Sequence, residues 1–120
     1  MRIISGKYRN KKLYFPKNLK TRPLKDSVRE NIFNILKHSN SFNIEIKNSN
    51  ILDLYSGIGS FGIECISRGA RKVTFIEKDK SSSNILKENL NRLSIKEKAL
   101  VISDRVENFL KNETMIKKKF

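Results

Sequence analysis

The run Asn50-Ile51-Leu52-Asp53-Leu54-Tyr55-Ser56-Gly57-Ile58-Gly59-Ser60-Phe61-Gly62 leaves this chain few folds to choose from. An apolar stretch carries an acid, glycines follow at 57, 59 and 62, and Ile63, Cys65 and Ile66 continue at helical spacing. That order is strand, tight loop, helix. Glycines permit positive φ and let a bound molecule approach the backbone, while the helix beyond offers unpaired amide donors in its first turn. The stretch predicts a nucleotide-type binding site in an α/β sheet.

Asp53 narrows the ligand. A carboxylate four residues before Gly57 would repel a diphosphate on the loop and would suit a cation. S-adenosylmethionine carries an ammonium and a sulfonium beside its adenosine, so a methyl donor is expected ahead of a dinucleotide. The second strand, Lys72-Val73-Thr74-Phe75-Ile76-Glu77, also finishes in an acid, with Glu77 lying 20 residues beyond Gly57. A βαβ unit places the carboxylate that accepts the ribose hydroxyls at about that separation. A third strand, Ala99 to Ser103, is followed by Asp104.

Helical patterns alternate with these strands. The first helix is expected from Asp26 to His38, opened by Ser27 with Glu30 as a capping box and turning Val28, Ile32, Phe33, Ile35 and Leu36 inward. The second follows the glycines and ends at Gly69; the third starts at Asp79 and aligns Ile85, Leu86, Leu90 and Leu93. Val106, Phe109 and Leu110 suggest a short fourth. Parallel strands need such crossovers, so the alternation predicts a three-layer α/β/α sheet with Asp53, Glu77 and Asp104 around one crevice at the carboxyl ends of its strands.

Charge points to the partner. The chain holds 26 Lys and Arg against 12 Asp and Glu, a formal +14 over 120 residues, and its first 25 residues contain no acid. Such an excess suits a polyanion, nucleic acid before membrane. Arg2 to Phe15 reads as a basic β-hairpin or two short strands, and Pro23 keeps Arg22 extended in the loop that follows. Lone Cys65 and lone His38 offer neither a disulfide nor a metal site, and no apolar run approaches membrane length. A reducing cytoplasmic setting is expected.

The chain resembles the RsmD-like enzymes, the 16S ribosomal RNA guanine-N2 methyltransferases of bacteria. The matching residues are Met1 to Arg9, then Thr21-Arg22-Pro23 with Asp26, Val28, Arg29, Glu30, Phe33 and Asn34, then Asp53 to Gly59, and Ile76-Glu77. The resemblance implies a class I S-adenosylmethionine-dependent methyltransferase fold, Rossmann-like and incomplete at the C-terminus, with residues 1–24 as a basic RNA-binding hairpin and 25–120 as the first half of the catalytic domain. It implies that Asp53, Gly57 and Gly59 hold the methionine part of the donor, Glu77 the ribose and Asp104 the adenine edge, with Tyr55 also in the donor site. RNA would be gripped by Arg2, Lys7, Arg9, Lys11, Lys12, Arg22 and Arg29. The partner would be 16S ribosomal RNA or the assembling small subunit, met by a metal-free protein that is monomeric when complete.

One family feature is missing. The Asp/Asn-Pro-Pro-Phe/Tyr motif that holds the target amine cannot be present, because the only prolines are Pro16 and Pro23. No catalytic residue is therefore assigned, and a chain cut short before its fourth strand is expected to be inactive alone. Two other readings stand beside this one: a noncatalytic RNA-binding module, and a nicotinamide-dependent oxidoreductase, against which Asp53 argues.

Overall fold

A computed structural model describes residues 1–16, 26–38 and 45–111. Helix α1 covers Asp26–His38, strand β1 Asn50–Leu54, helix α2 Ser60–Ser67, strand β2 Lys72–Ile76, helix α3 Lys80–Arg92, strand β3 Ala99–Ile102 and helix α4 Val106–Leu110. The strands run parallel in the order β1-β2-β3, with Asp53 opposite Phe75 and Phe75 opposite Val101. Among the described residues, β1 has no strand on its other side, and no helix is long and apolar enough to cross a membrane.

Alternation along the strands separates two apolar layers. Val73 and Phe75 face a core shared with Ile63, Cys65 and Ile66 of α2, Leu86 and Leu90 of α3, and Phe33 of α1. On the opposite face Ile76 meets Val106 and Phe109 of α4, with Leu52, Leu54 and Ile102 only partly covered. The expected α/β/α layering is present, and α4 is the one described helix packed on that second face. Cys65 is buried and free, and loss of water around it pushes its thiol up to about 12.

Helix ends follow the sequence closely. Asp79 caps α3 by accepting from Ser82 N–H at 2.9 Å, and Gly69, at φ 104°, ends α2 with its own and the next amide bonded back to Ile66 and Cys65. Helix α1 differs. It begins at Asp26, which places Ser27 inside the first turn, and it buries Arg29 and Phe33 while leaving Val28 and Ile35 exposed at 41% and 56%. The apolar periodicity alone did not identify that face, because the helix is held by a buried charge.

Residues 1–16 are narrower than a regular hairpin. One antiparallel bridge joins Arg2 to Lys12, supported by bonds from Ile3 N–H to Lys11 O and from Leu13 N–H to Met1 O. This ribbon lies along α2. Ile4 and Ser5 N–H donate to the Glu64 carboxylate at 2.9 and 3.0 Å, and Lys7 N–H donates to Ser67 O at 2.8 Å. Contact at Gly6 is so close that a Cβ there would stand 1.9 Å from the Ser67 carbonyl oxygen. Ile3 and Leu13 join the main core, so the ribbon is built into it.

Candidate functional site

The loop between β1 and α2 is shaped by two acids that each take one of its amides. Asp53, 7% exposed near the end of β1, accepts from Gly62 N–H at 3.1 Å in the first turn of α2. Glu77, just past β2, accepts from Gly57 N–H at 2.8 Å with one oxygen and from Asp79 N–H at 2.8 Å with the other. Ser56 ties the same corner: its hydroxyl donates to Asp53 O at 2.6 Å and accepts from Ile76 N–H at 3.1 Å. Two neighbouring strand ends thus converge on one turn.

Close packing explains the glycine at 62. A Cβ there would lie 2.2 Å from the Phe75 ring and 2.9 Å from the Asp53 carboxylate. Only hydrogen lets α2 start so near the sheet. Gly57 is the opposite case, with φ 57° and open space where a side chain would be. Partly exposed backbone at Gly57, two carboxylates and the N-terminus of α2 meet at this one corner.

Burial governs the electrostatics. Desolvation raises the Asp53 carboxyl to about 7, against the lowering effect of its bonds with Gly62 and Ser56, and the nearby Glu77 charge raises it further. A buried carboxylate poised there gains most from a cation. Asp104 behaves differently. It is exposed, and its carboxylate turns to Arg105 N–H at 2.7 Å and the Asn108 side chain at 2.9 Å, which hold its carboxyl below the usual range. The structure therefore brings Asp53, Gly57 and Glu77 together and leaves Asp104 engaged with the start of α4. Tyr55 stands beside the loop at 68% exposure with a left-handed φ of 56°.

The basic residues divide as well. Arg2, Lys7, Arg9, Lys11 and Lys12 are exposed on the ribbon. Arg22 lies outside the described residues. Arg29 is a correction: expected on the RNA-facing surface, it is 1% exposed, donates to Arg2 O at 2.7 Å and to Asp26 at 2.6 Å, and approaches buried Glu64 at 3.9 Å. It clamps the ribbon between α1 and α2 and is not available to phosphates.

Sequence reasoning missed Glu64 and Asn89. Glu64 sits mid-helix, fully buried, and also takes Arg68 Nε at 2.9 Å. Asn89 bonds to both main-chain groups of Tyr14 and to Ile58 O in the glycine loop. A polar residue on an otherwise apolar helix face was the one available signal. A cavity of about 450 Å³ lined by Ser5, Phe33, Lys37, Ile46 and Arg68 lies at the far end of α2, and none of the loop acids reaches it. Among the described residues no three His, Cys, Asp or Glu side chains gather as a metal site would require.

Known proteins resemble this chain in sequence and in fold. Ribosomal RNA small subunit methyltransferase D of Haemophilus influenzae is 42% identical over 112 residues, 92% of this chain and 55% of that protein. Among solved structures, a hypothetical protein of Thermus thermophilus, TTHA0928, matches with a TM-score of 0.79 at 29% identity, over 98% of this chain and 63% of that one. YhhF of Escherichia coli gives 0.76 at 34% identity, over 92% and 55%. The chain spans about half the length of the curated relatives it matches. The fold is that of the class I methyltransferases, Rossmann-like. The family model described as Conserved hypothetical protein 95 matches residues 1–120, and with these relatives it establishes that the chain belongs to the RsmD-like family of ribosomal RNA methyltransferases.

Proposed function

We propose that this chain is the donor-binding, RNA-facing portion of an enzyme that moves a methyl group from S-adenosylmethionine to N2 of a guanine in 16S ribosomal RNA. The observation that carries the reading is the buried Asp53 carboxylate beside the uncovered backbone of Gly57. S-adenosylmethionine would supply the electrophilic methyl group. Asp53 and the Gly57–Gly59 turn suit its cationic methionine part, Glu77 suits the ribose, and Asp104 is assigned to the adenine once its carboxylate leaves Asn108. Tyr55 flanks the same turn.

Attack by N2 on the methyl carbon would break the methyl–sulfur bond and release S-adenosylhomocysteine, with the amine's surplus proton lost to solvent, and the protein's contribution would be orientation and exclusion of water from the reacting atoms. The exposed cations of the ribbon suit RNA phosphates. The residues that would hold the target amine belong to the Asp/Asn-Pro-Pro-aromatic motif, which this sequence does not contain. A second reading is a noncatalytic RNA-binding module, for which the basic, acid-free first 25 residues would suffice.

Calorimetry separates the two. Titration of the chain with S-adenosylmethionine should show saturable binding, and NADH should neither bind nor compete. No heat with the methyl donor, together with RNA affinity indifferent to it, would leave the binding module as the answer.

A further inference from the structure

The ribbon leaves the core at a tyrosine that the donor site does not use. Leu13 is buried while Lys12 and Tyr14 on either side are exposed, the alternation of an extended segment, so these two side chains share the outward face. Tyr14 has a firmly held main chain. Its N–H donates to Asn89 Oδ1 at 2.7 Å, its carbonyl accepts from Asn89 Nδ2 at 3.2 Å, and the same amide nitrogen reaches Ile58 O at 3.3 Å. Asn89 is 1% exposed, so one buried side chain fixes Tyr14 to the glycine loop.

Tyr14 as a residue is left 41% exposed. The Arg92 guanidinium lies over one face of the ring, 5.1 Å from its centroid, and Arg92 is paired with Glu88 at 3.1 Å. A partly exposed aromatic side chain on a hydrogen-bonded backbone, with a guanidinium over one face and exposed Lys12 two residues before it, combines the two elements by which proteins hold single-stranded nucleic acid: a stacking surface for a base and positive charge for its phosphates. A duplex keeps its bases stacked on one another and cannot use such a ring. The basic ribbon, free of acids, supplies the charge complementarity.

We propose that Tyr14, with Lys12 and Arg92 beside it, is a stacking platform for an unpaired RNA base, set at the edge of the glycine loop by Asn89. The inference rests on the RNA reading above and adds its substrate form, an unpaired nucleotide beside the methylated one.

The test compares the whole chain with Tyr14→Leu and Tyr14→Phe, titrated into a short single-stranded RNA and the duplex of the same sequence. Tyr14→Leu should bind the single strand about tenfold more weakly, with the same dependence on salt, since stacking carries no charge. Tyr14→Phe should bind as the parent does, and duplex affinity should be the same in all three. Equal single-strand affinity for the parent and Tyr14→Leu, or equal losses on both RNAs, would overturn the platform while leaving the RNA reading intact. A parent chain that binds neither RNA would overturn both. Matching unfolding midpoints show that the exposed substitution has not altered the fold.

Discussion

With its carboxyl raised by burial to about 7, Asp53 titrates where donor binding and folding stability pull in opposite directions. A cationic donor needs the carboxylate. Its affinity should therefore rise roughly tenfold per pH unit below 7 and level off above, and a flat calorimetric profile between pH 6 and 8 would refute the assignment. Stability runs the other way. The folded carboxyl holds its proton more tightly than the unfolded one, so the chain loses stability as pH rises from about 4 through about 7. Asp53→Asn, which keeps an acceptor for Gly62, should lose donor binding yet melt higher than the parent at pH 8, with the difference shrinking toward pH 5. A variant that binds donor normally would remove Asp53 from the site.

At the scale of elements, Glu64 decides how the ribbon meets α2. Replacing it with Leu leaves the Ile4 and Ser5 amides and the Arg29 guanidinium without their carboxylate, inside the protein. Urea unfolding should show a loss of about 3–5 kcal/mol, the range for breaking a buried ion pair from one side. Gly62→Ala should cost about 1–3 kcal/mol by pressing a methyl group into Phe75, and should weaken donor binding as the first turn of α2 shifts. Strands, helices and the convergence of Asp53 and Glu77 on one loop could be read from the sequence, because they depend on short-range periodicity and glycine placement. The inward face of α1 could not. Arg29 finds Glu64 35 residues away and Asn89 finds Tyr14 75 residues away, and nothing local marks either pairing. Asp104 was legible as a strand-end acid, but its engagement with Asn108 depends on how α4 begins.

Over the whole molecule, ribbon, α1, α2 and α3 share one core, so the ribbon's exposed cations ride on the body that carries the glycine loop. Neutralising Arg9, Lys11 and Lys12 together should lower the slope of log affinity against log salt by about 2, at roughly 0.7 per phosphate contact on single strands. Unchanged slopes would move the RNA contact elsewhere. The ribbon also has a direction. Its tip at Gly6 and Lys7 packs on Ser67 at the end of α2, while its other end, through Tyr14 and Asn89, touches Ile58 at the glycine loop. Exposed Lys7 and Arg9 thus sit toward the Ser67 end of the ribbon, and exposed Lys12 toward the glycine loop. On the RNA reading proposed above, a single strand laid along the ribbon would follow its length from Lys7 toward Tyr14, where the negative charge of Asp53 and Glu77 would oppose any phosphate entering the glycine loop.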